Sequence, residues 1–170
     1  IFAITLWGMS YIWTDKLIAL NIPIFYFVFV RILVAGIVLF LFNTAYARIK
    51  RIQKQDLGKF LLLAFFEPFI YFICETYGLK LTGSPTLSAM VVATIPIFSI
   101  GAGMIFFKEK VNVVNIVGIV FTLIGIVMVA MAKGELGENF IWGVVLLLIA
   151  VVSEVGHASI TKSLSGNYSS

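Results

Sequence analysis

Residues 146–164 read LLLIAVVSEVGHASITKSL, an apolar run into which Glu154 and the chain's single histidine, His157, are set. A helix of about 20 mostly apolar residues crosses a hydrocarbon layer roughly 30 Å thick, and the run reaches that length when extended to 140–162. Five more such runs precede it, at 2–20, 24–43, 60–80, 86–107 and 112–132. Each is longer than the apolar stretch of an export signal, so none reads as a cleaved leader. Apolar residues make up 61% of the chain, charged ones 12%, and the mean hydropathy is +1.10, a composition foreign to a water-soluble domain of this size. The alternating ten-residue segments of a transmembrane β-barrel are missing. The expected fold class is an all-α integral membrane protein, a polytopic helical bundle of about six transmembrane helices with the lipid bilayer as its first partner.

Charge orients the bundle. Between the second and third runs lies ARIKRIQKQDLGK, where Arg48, Lys50, Arg51, Lys54 and Lys59 face a single acid, Asp56. The positive-inside rule puts this loop on the cytoplasmic side. Lys108, Lys110 and the tail after Lys162 then also fall inside, while Asn21 to Pro23, LTGSP at 81–85 and KGELGEN at 133–139 fall outside. The net charge of +4 is this loop bias, so no nucleic-acid partner is implied. Cys74, alone and inside the third run, excludes a disulfide within one chain and reads as a small core residue.

Polar residues inside the runs recur at helical spacing. Glu154, His157, Ala158 and Thr161 share one face of the sixth run; Glu67, Tyr71, Cys74 and Gly78, with Glu75 at the edge, share one of the third; Trp7, Ser10, Tyr11 and Thr14 share one of the first. A charge at the bilayer centre costs several kcal/mol, so such faces turn toward a bundle interior or a wet cavity. Three stripes predict one shared cavity, walled by spans one to four and six, with span five more peripheral. Asp15, Lys16, Arg31 and Glu75 lie in the outer parts of their spans, where they can neutralise one another as a structural cluster or clamp a substrate's charged group. Glu67 and Glu154 lie deeper, about eight residues or roughly 12 Å from the inner helix ends, with no cation evident at that level. Each reads either as a proton- or cation-binding group or as a neutral carboxyl bonding across helices. Trp7, Tyr11 and Tyr71 offer ring faces for an organic cation or an apolar moiety.

Backbone breakers complete the pattern. Pro68 and Pro96 interrupt hydrogen bonding inside spans three and four, freeing carbonyls that either bend the helix, the safer reading, or face the cavity. Ser88, Ala89, Ala93, Ser99, Gly101 and Gly103 on span four, and Gly118 and Gly125 on span five, allow helices to approach closely, within the chain or at a homodimer face.

LWGMSYIWTDKLIAL with Arg31, and the stretch from Thr82 to Ala130 with Pro96, Glu109 in FFKEKV, Gly118 and Gly125, resemble the EamA-like branch of the drug/metabolite transporter superfamily. The resemblance implies a ten-helix protein that moves small organic metabolites. Of that, residues 1–132 would be the first five-helix repeat, 133–139 an external loop, and 140–170 the first helix of a truncated second repeat. The chain opens at Ile1 inside an apolar run and closes on SGNYSS, which fits an incomplete protein. Five helices is an odd number, so a second repeat would be inverted, the arrangement in which secondary transporters bind substrate near the midplane. SEVGHASITKS is also similar to the first helix of the small multidrug resistance transporters, in which a membrane glutamate is followed eight residues later by a lysine. That resemblance nominates Glu154, with Lys162 in the lysine's place; Gly8 stands at the matching position of the first span.

The expected function is therefore secondary transport of a small organic metabolite by alternating access, in an integral multi-pass protein of a prokaryotic cytoplasmic membrane. Glu154, His157, Glu67, Tyr71, Glu75, Arg31, Trp7 and Tyr11 are the candidate binding or coupling residues, and Glu67 is the second carboxylate at the depth of Glu154. A non-transporting assembly subunit is one alternative. A membrane metalloenzyme is another, since Glu154 and His157 form the Glu-x-x-His pair of di-iron sites, but one histidine cannot supply the second copy such sites use. No His-Glu-x-x-His, Gly-x-Ser-x-Gly or P-loop pattern is present, so neither catalysis nor a cofactor is expected.

Overall fold

A computed structural model describes residues 2–46, 52–108, 112–132 and 138–168. Arg48, Lys50 and Arg51 of the basic loop, Glu109 and Lys110 of the next, and residues 133–137 of the expected external loop lie outside the described residues. Among the described residues the secondary structure is helical throughout. In chain order it comprises α1 (Phe2–Ala19), α2 (Ile24–Ala45), a short 3₁₀ turn (Lys54–Asp56), α3 (Leu57–Ala64), α4 (Tyr71–Thr82), α5 (Pro85–Val92), α6 (Ile95–Phe107), α7 (Val113–Ala132) and α8 (Glu138–Tyr168). These segments make six rods, because α3 runs on into α4 and α5 into α6. Four rods, at Ile24–Ala45, Lys54–Thr82, Pro85–Met104 and Asn139–Ser165, are long and apolar enough to cross a membrane. The protein is thus a polytopic helical membrane protein.

Both prolines do more than bend their rods. Pro68 has no N–H to give the preceding turn, and Glu67 takes an extended backbone (φ −134°, ψ 124°), so the helix stops and restarts between Phe65 and Ile70. In the fourth rod α5 ends at Val92 with Ala93 as its cap, and α6 restarts after Thr94 with Pro96 in its first turn, where a missing N–H leaves no bond unmade. The buried Thr94 hydroxyl donates to the Val91 carbonyl at 2.6 Å, satisfying one acceptor that the break releases. Gly83, at φ +54°, closes α4, and Ser84 caps α5 by accepting from the Leu87 N–H at 3.3 Å, with Pro85 next to it.

The third and sixth rods form the spine. They run antiparallel, bringing Gly78 against Gly143 at one end, Phe66 against Ser153 in the middle and Asp56 against Tyr168 at the other. A Cβ on Gly78 would sit 2.7 Å from Leu147 Cγ and 2.9 Å from the Gly143 carbonyl oxygen, so only glycine admits this approach. Gly101, Gly118 and Gly125, expected to serve close packing, face open space instead. Leu79, Leu87, Val91, Val92, Leu147 and Ala150 build the core where α4, α5 and α8 meet. α8 has 31 residues, about 46 Å at 1.5 Å per residue, and outruns the expected span of 140–162. Its last turn is held by Tyr168, whose hydroxyl donates to buried Asp56 Oδ2 at 2.9 Å, accepts from the Gln53 N–H at 3.1 Å and whose ring meets Phe60 edge-on. α1 packs on α4 and α5, and α2 on α4. α7 lies at the periphery with its main contact to α5. Most of α2 and much of α7 remain exposed and apolar, as lipid-facing helices are.

Candidate functional site

The two helix breaks and α8 face each other, and between them lies a cavity of about 610 Å³. Trp7 of α1, Arg31 of α2, Glu67 at the break of the third rod, Tyr71 and Phe72 of α4, Val92, Ala93, Ile95 and Pro96 at the break of the fourth rod, and Glu154 of α8 line it. These are the five expected rods, with α7 outside. Five of the eight candidate residues, Trp7, Arg31, Glu67, Tyr71 and Glu154, are therefore brought to one wall set. Tyr11 and Glu75 sit directly behind that wall, and His157 reaches it through Glu67.

Two carboxylate clusters divide the cavity. In the first, Glu75 is buried, and its Oε1 accepts from the hydroxyls of Tyr11 at 2.6 Å and Tyr71 at 2.9 Å. Its Oε2 lies 3.8 Å from Arg31 Nη1, and the Arg31 guanidinium rests 4.3 Å from the centre of the Phe72 ring. An arginine between a carboxylate and an aromatic face is balanced twice, by charge and by the ring quadrupole. The four-charge outer cluster expected from sequence shrinks to this pair: Lys16 lies exposed, 5.1 Å over the Trp13 ring, and Asp15 does not join.

The second cluster is thinly satisfied. Glu154 and Glu67 line the same cavity, where two carboxyls sharing one site disfavour being ionised together. His157 Nδ1 lies 3.5 Å from Glu67 Oε2, too long for a formed hydrogen bond. Glu154 Oε2 and His157 Nδ1 are buried atoms without a hydrogen-bond partner. His157, one turn from Glu154, stands beside Glu67 on the neighbouring rod, and Arg31 lines the same cavity. Burying under-partnered polar atoms is costly, and they mark where a ligand or a proton can be taken up. Among the described residues no group of three or more His, Cys, Asp or Glu could hold a metal ion.

Several stripe members fall elsewhere, among them Ala158, which is exposed and lines a separate hollow with Ser99 and Gly103. Gly78 belongs to the α4–α8 contact, and Thr161 is exposed. Sequence reasoning overlooked Phe72 and Ser153. Phe72 is one of many phenylalanines and carries no distinguishing signal. Ser153 does carry one, since a serine inside an apolar helix has to donate somewhere, and here it donates to the Phe66 carbonyl at 2.8 Å.

Comparison with known proteins follows the same lines. The profile of the EamA-like transporter family matches residues 1–131. An uncharacterized transporter of Archaeoglobus fulgidus is 25% identical over 169 residues, covering 97% of this chain and 56% of that protein. The uncharacterized transporters YdfC and YoaV of Bacillus subtilis are 27% and 26% identical, covering 73% and 90% of this chain and 40% and 52% of their own lengths. The chain spans about half the length of the curated relatives it matches. No solved structure matches it.

Proposed function

The chain belongs to the EamA-like transporter family, and on that premise we propose that it forms the first repeat and the opening helix of an inverted second repeat of a secondary transporter for a small organic metabolite. Its setting is a prokaryotic cytoplasmic membrane, with the basic loop around Lys54 and Lys59 inside, in keeping with relatives that are bacterial and archaeal. The observation that carries the reading is the cavity: five rods converge on it, and it presents Glu67 and Glu154 on one side and Arg31 on another. A channel would need a continuous wet path; a cavity enclosed by helix breaks suits a carrier that exposes one site alternately to each side. Further helices of a full-length protein would supply the remaining wall.

Glu154 is assigned the coupling role. Ionised, it attracts a cationic group or a proton; protonated, it is neutral and lets a cationic partner go. Glu67 shares its proton, and His157 adjusts the balance. In proteoliposomes holding the full-length protein, screened against a metabolite panel, Glu154→Gln is expected to fold normally and to abolish the pH dependence of transport. Unchanged pH dependence would reduce Glu154 to a packing residue. Absence of transport by the unaltered protein under every gradient would favour the assembly-subunit reading.

A further inference from the structure

The residues around Glu154 touch the neighbouring rod in a regular order that the coupling role alone does not explain. Ser153 is buried, with 2% of its surface exposed. Its hydroxyl donates to the Phe66 carbonyl oxygen at 2.8 Å. That oxygen also accepts from the Tyr71 N–H across the helix break, so both of its lone pairs are engaged. Three residues along, Gly156 receives the Phe66 ring: a Cβ there would stand 3.3 Å from Phe66 Cζ. Backbone and ring of Phe66 are thus gripped from one face of α8. The next residue is Glu67, whose extended backbone at the break would otherwise have little to fix its direction.

We infer that Ser153 and Gly156 form a socket for Phe66, and that this socket is a positioning device that registers Glu67 against Glu154 and His157. The segment SEVGH then has a division of labour: Ser153 and Gly156 hold Phe66, while His157 approaches Glu67 and Glu154 lines the same cavity as Glu67. The inference deepens the proposed function and rests on its reading of Glu67 and Glu154 as a proton-sharing pair. Arg31 on α2, Tyr71 and, behind it, Glu75 on α4, and His157 on α8 are the titratable or charged groups facing the pair among the described residues; α1 contributes Trp7 to the cavity wall, and α5 and α6 contribute uncharged residues.

Two carboxyls that share a proton titrate as a coupled pair in two separated steps. The separation measures how closely they are held, and a residue with a merely structural role would leave it unchanged. The test is infrared difference titration of the full-length protein in lipid nanodiscs, following the protonated-carboxyl bands and assigning them by their loss in Glu67→Gln and Glu154→Gln. Ser153→Ala is expected to cut the separation by half or more, Ser153→Thr to restore most of it, and Gly156→Ala to reduce it by a smaller amount, since the ring has to move only a few tenths of an ångström. An unchanged separation in folded Ser153→Ala protein would overturn the inference. If that variant does not fold, Gly156→Ala decides, and an unchanged separation there overturns it equally. Failure of the underlying reading looks different: Glu154→Gln would remove no band from protein with Ser153 intact.

Discussion

Glu75 and Glu154 are both carboxylates inside a membrane bundle, on the two helices that pack most extensively against each other, yet their surroundings are opposite. Glu75 is buried, accepts two tyrosine hydroxyls and faces an arginine. Glu154 is half-buried, shares a cavity with another acid and leaves one oxygen without a partner. The first arrangement completes a network; the second leaves valence for something else. On the proposed reading, satisfaction of hydrogen-bonding capacity, rather than residue type or depth, is what separates a structural charge from one available for coupling.

The comparison is most exposed to failure at Glu75. Replacing it with alanine leaves Arg31 and two tyrosine hydroxyls facing a void, and breaking a buried pair by removing one partner costs about 3–5 kcal/mol. Thermal unfolding of Glu75→Ala in detergent should show a loss of that size, while Glu154→Gln, which keeps the shape of a group already short of partners, should lose about 1 kcal/mol or less. Equal losses would erase the distinction between the clusters.

Tyr11→Phe sharpens the same contrast at a smaller scale. It removes one of two hydroxyls on Glu75 Oε1 and leaves Tyr71 and Arg31 in place. A hydrogen bond to a charged group contributes about 1.5–3 kcal/mol, so the unfolding midpoint should fall by less than for Glu75→Ala. Tyr11 stands behind the cavity wall, so the pH dependence of transport should survive. A variant that is stable but has lost its pH response would move Tyr11 into the coupling machinery and merge the two clusters.

How far these clusters could be read from sequence follows from the range of each interaction. The apolar runs gave all six rods, since crossing a membrane is a demand on consecutive residues. Equal depth from the inner ends was enough to pair Glu67 with Glu154, because antiparallel rods of similar length put equal depths together. Of the partners of Glu75, Arg31 was legible from its matching outer depth, but Tyr11 was not, because it lies on another rod and helical spacing relates only residues on one rod. Asp15 and Lys16 looked like members of that cluster by depth, but Lys16 is exposed over Trp13 and neither forms an ion pair with Arg31 or Glu75. Small residues misled for a related reason. Gly118 and Gly125 have the spacing of a packing face, but a glycine matters only where a second backbone arrives, as Gly143 does at Gly78. The breaks at Pro68 and Pro96 were read as bends; what turns them into cavity walls is the set of caps, Ser153 and Thr94, that lets a stopped helix stay stopped.

The smallest expected effect on stability belongs to His157, and it probes the comparison from the side of the unsatisfied cluster. Its Nδ1 approaches Glu67 at 3.5 Å without forming a hydrogen bond, and its side chain is 27% exposed. A pair that open and that long contributes little, so His157→Gln should change the unfolding free energy by about 0.5 kcal/mol or less. Its effect belongs in the pH profile. A protonated imidazole beside Glu67 favours the ionised carboxyl pair; a glutamine gives no such bias, so the midpoint of pH-dependent transport should shift while the dependence itself persists. Glu154→Gln, by contrast, should remove the dependence. If His157→Gln removed it as well, the proton would be held between Glu67 and the imidazole, and the coupling group would be a carboxylate–histidine pair instead of two carboxyls.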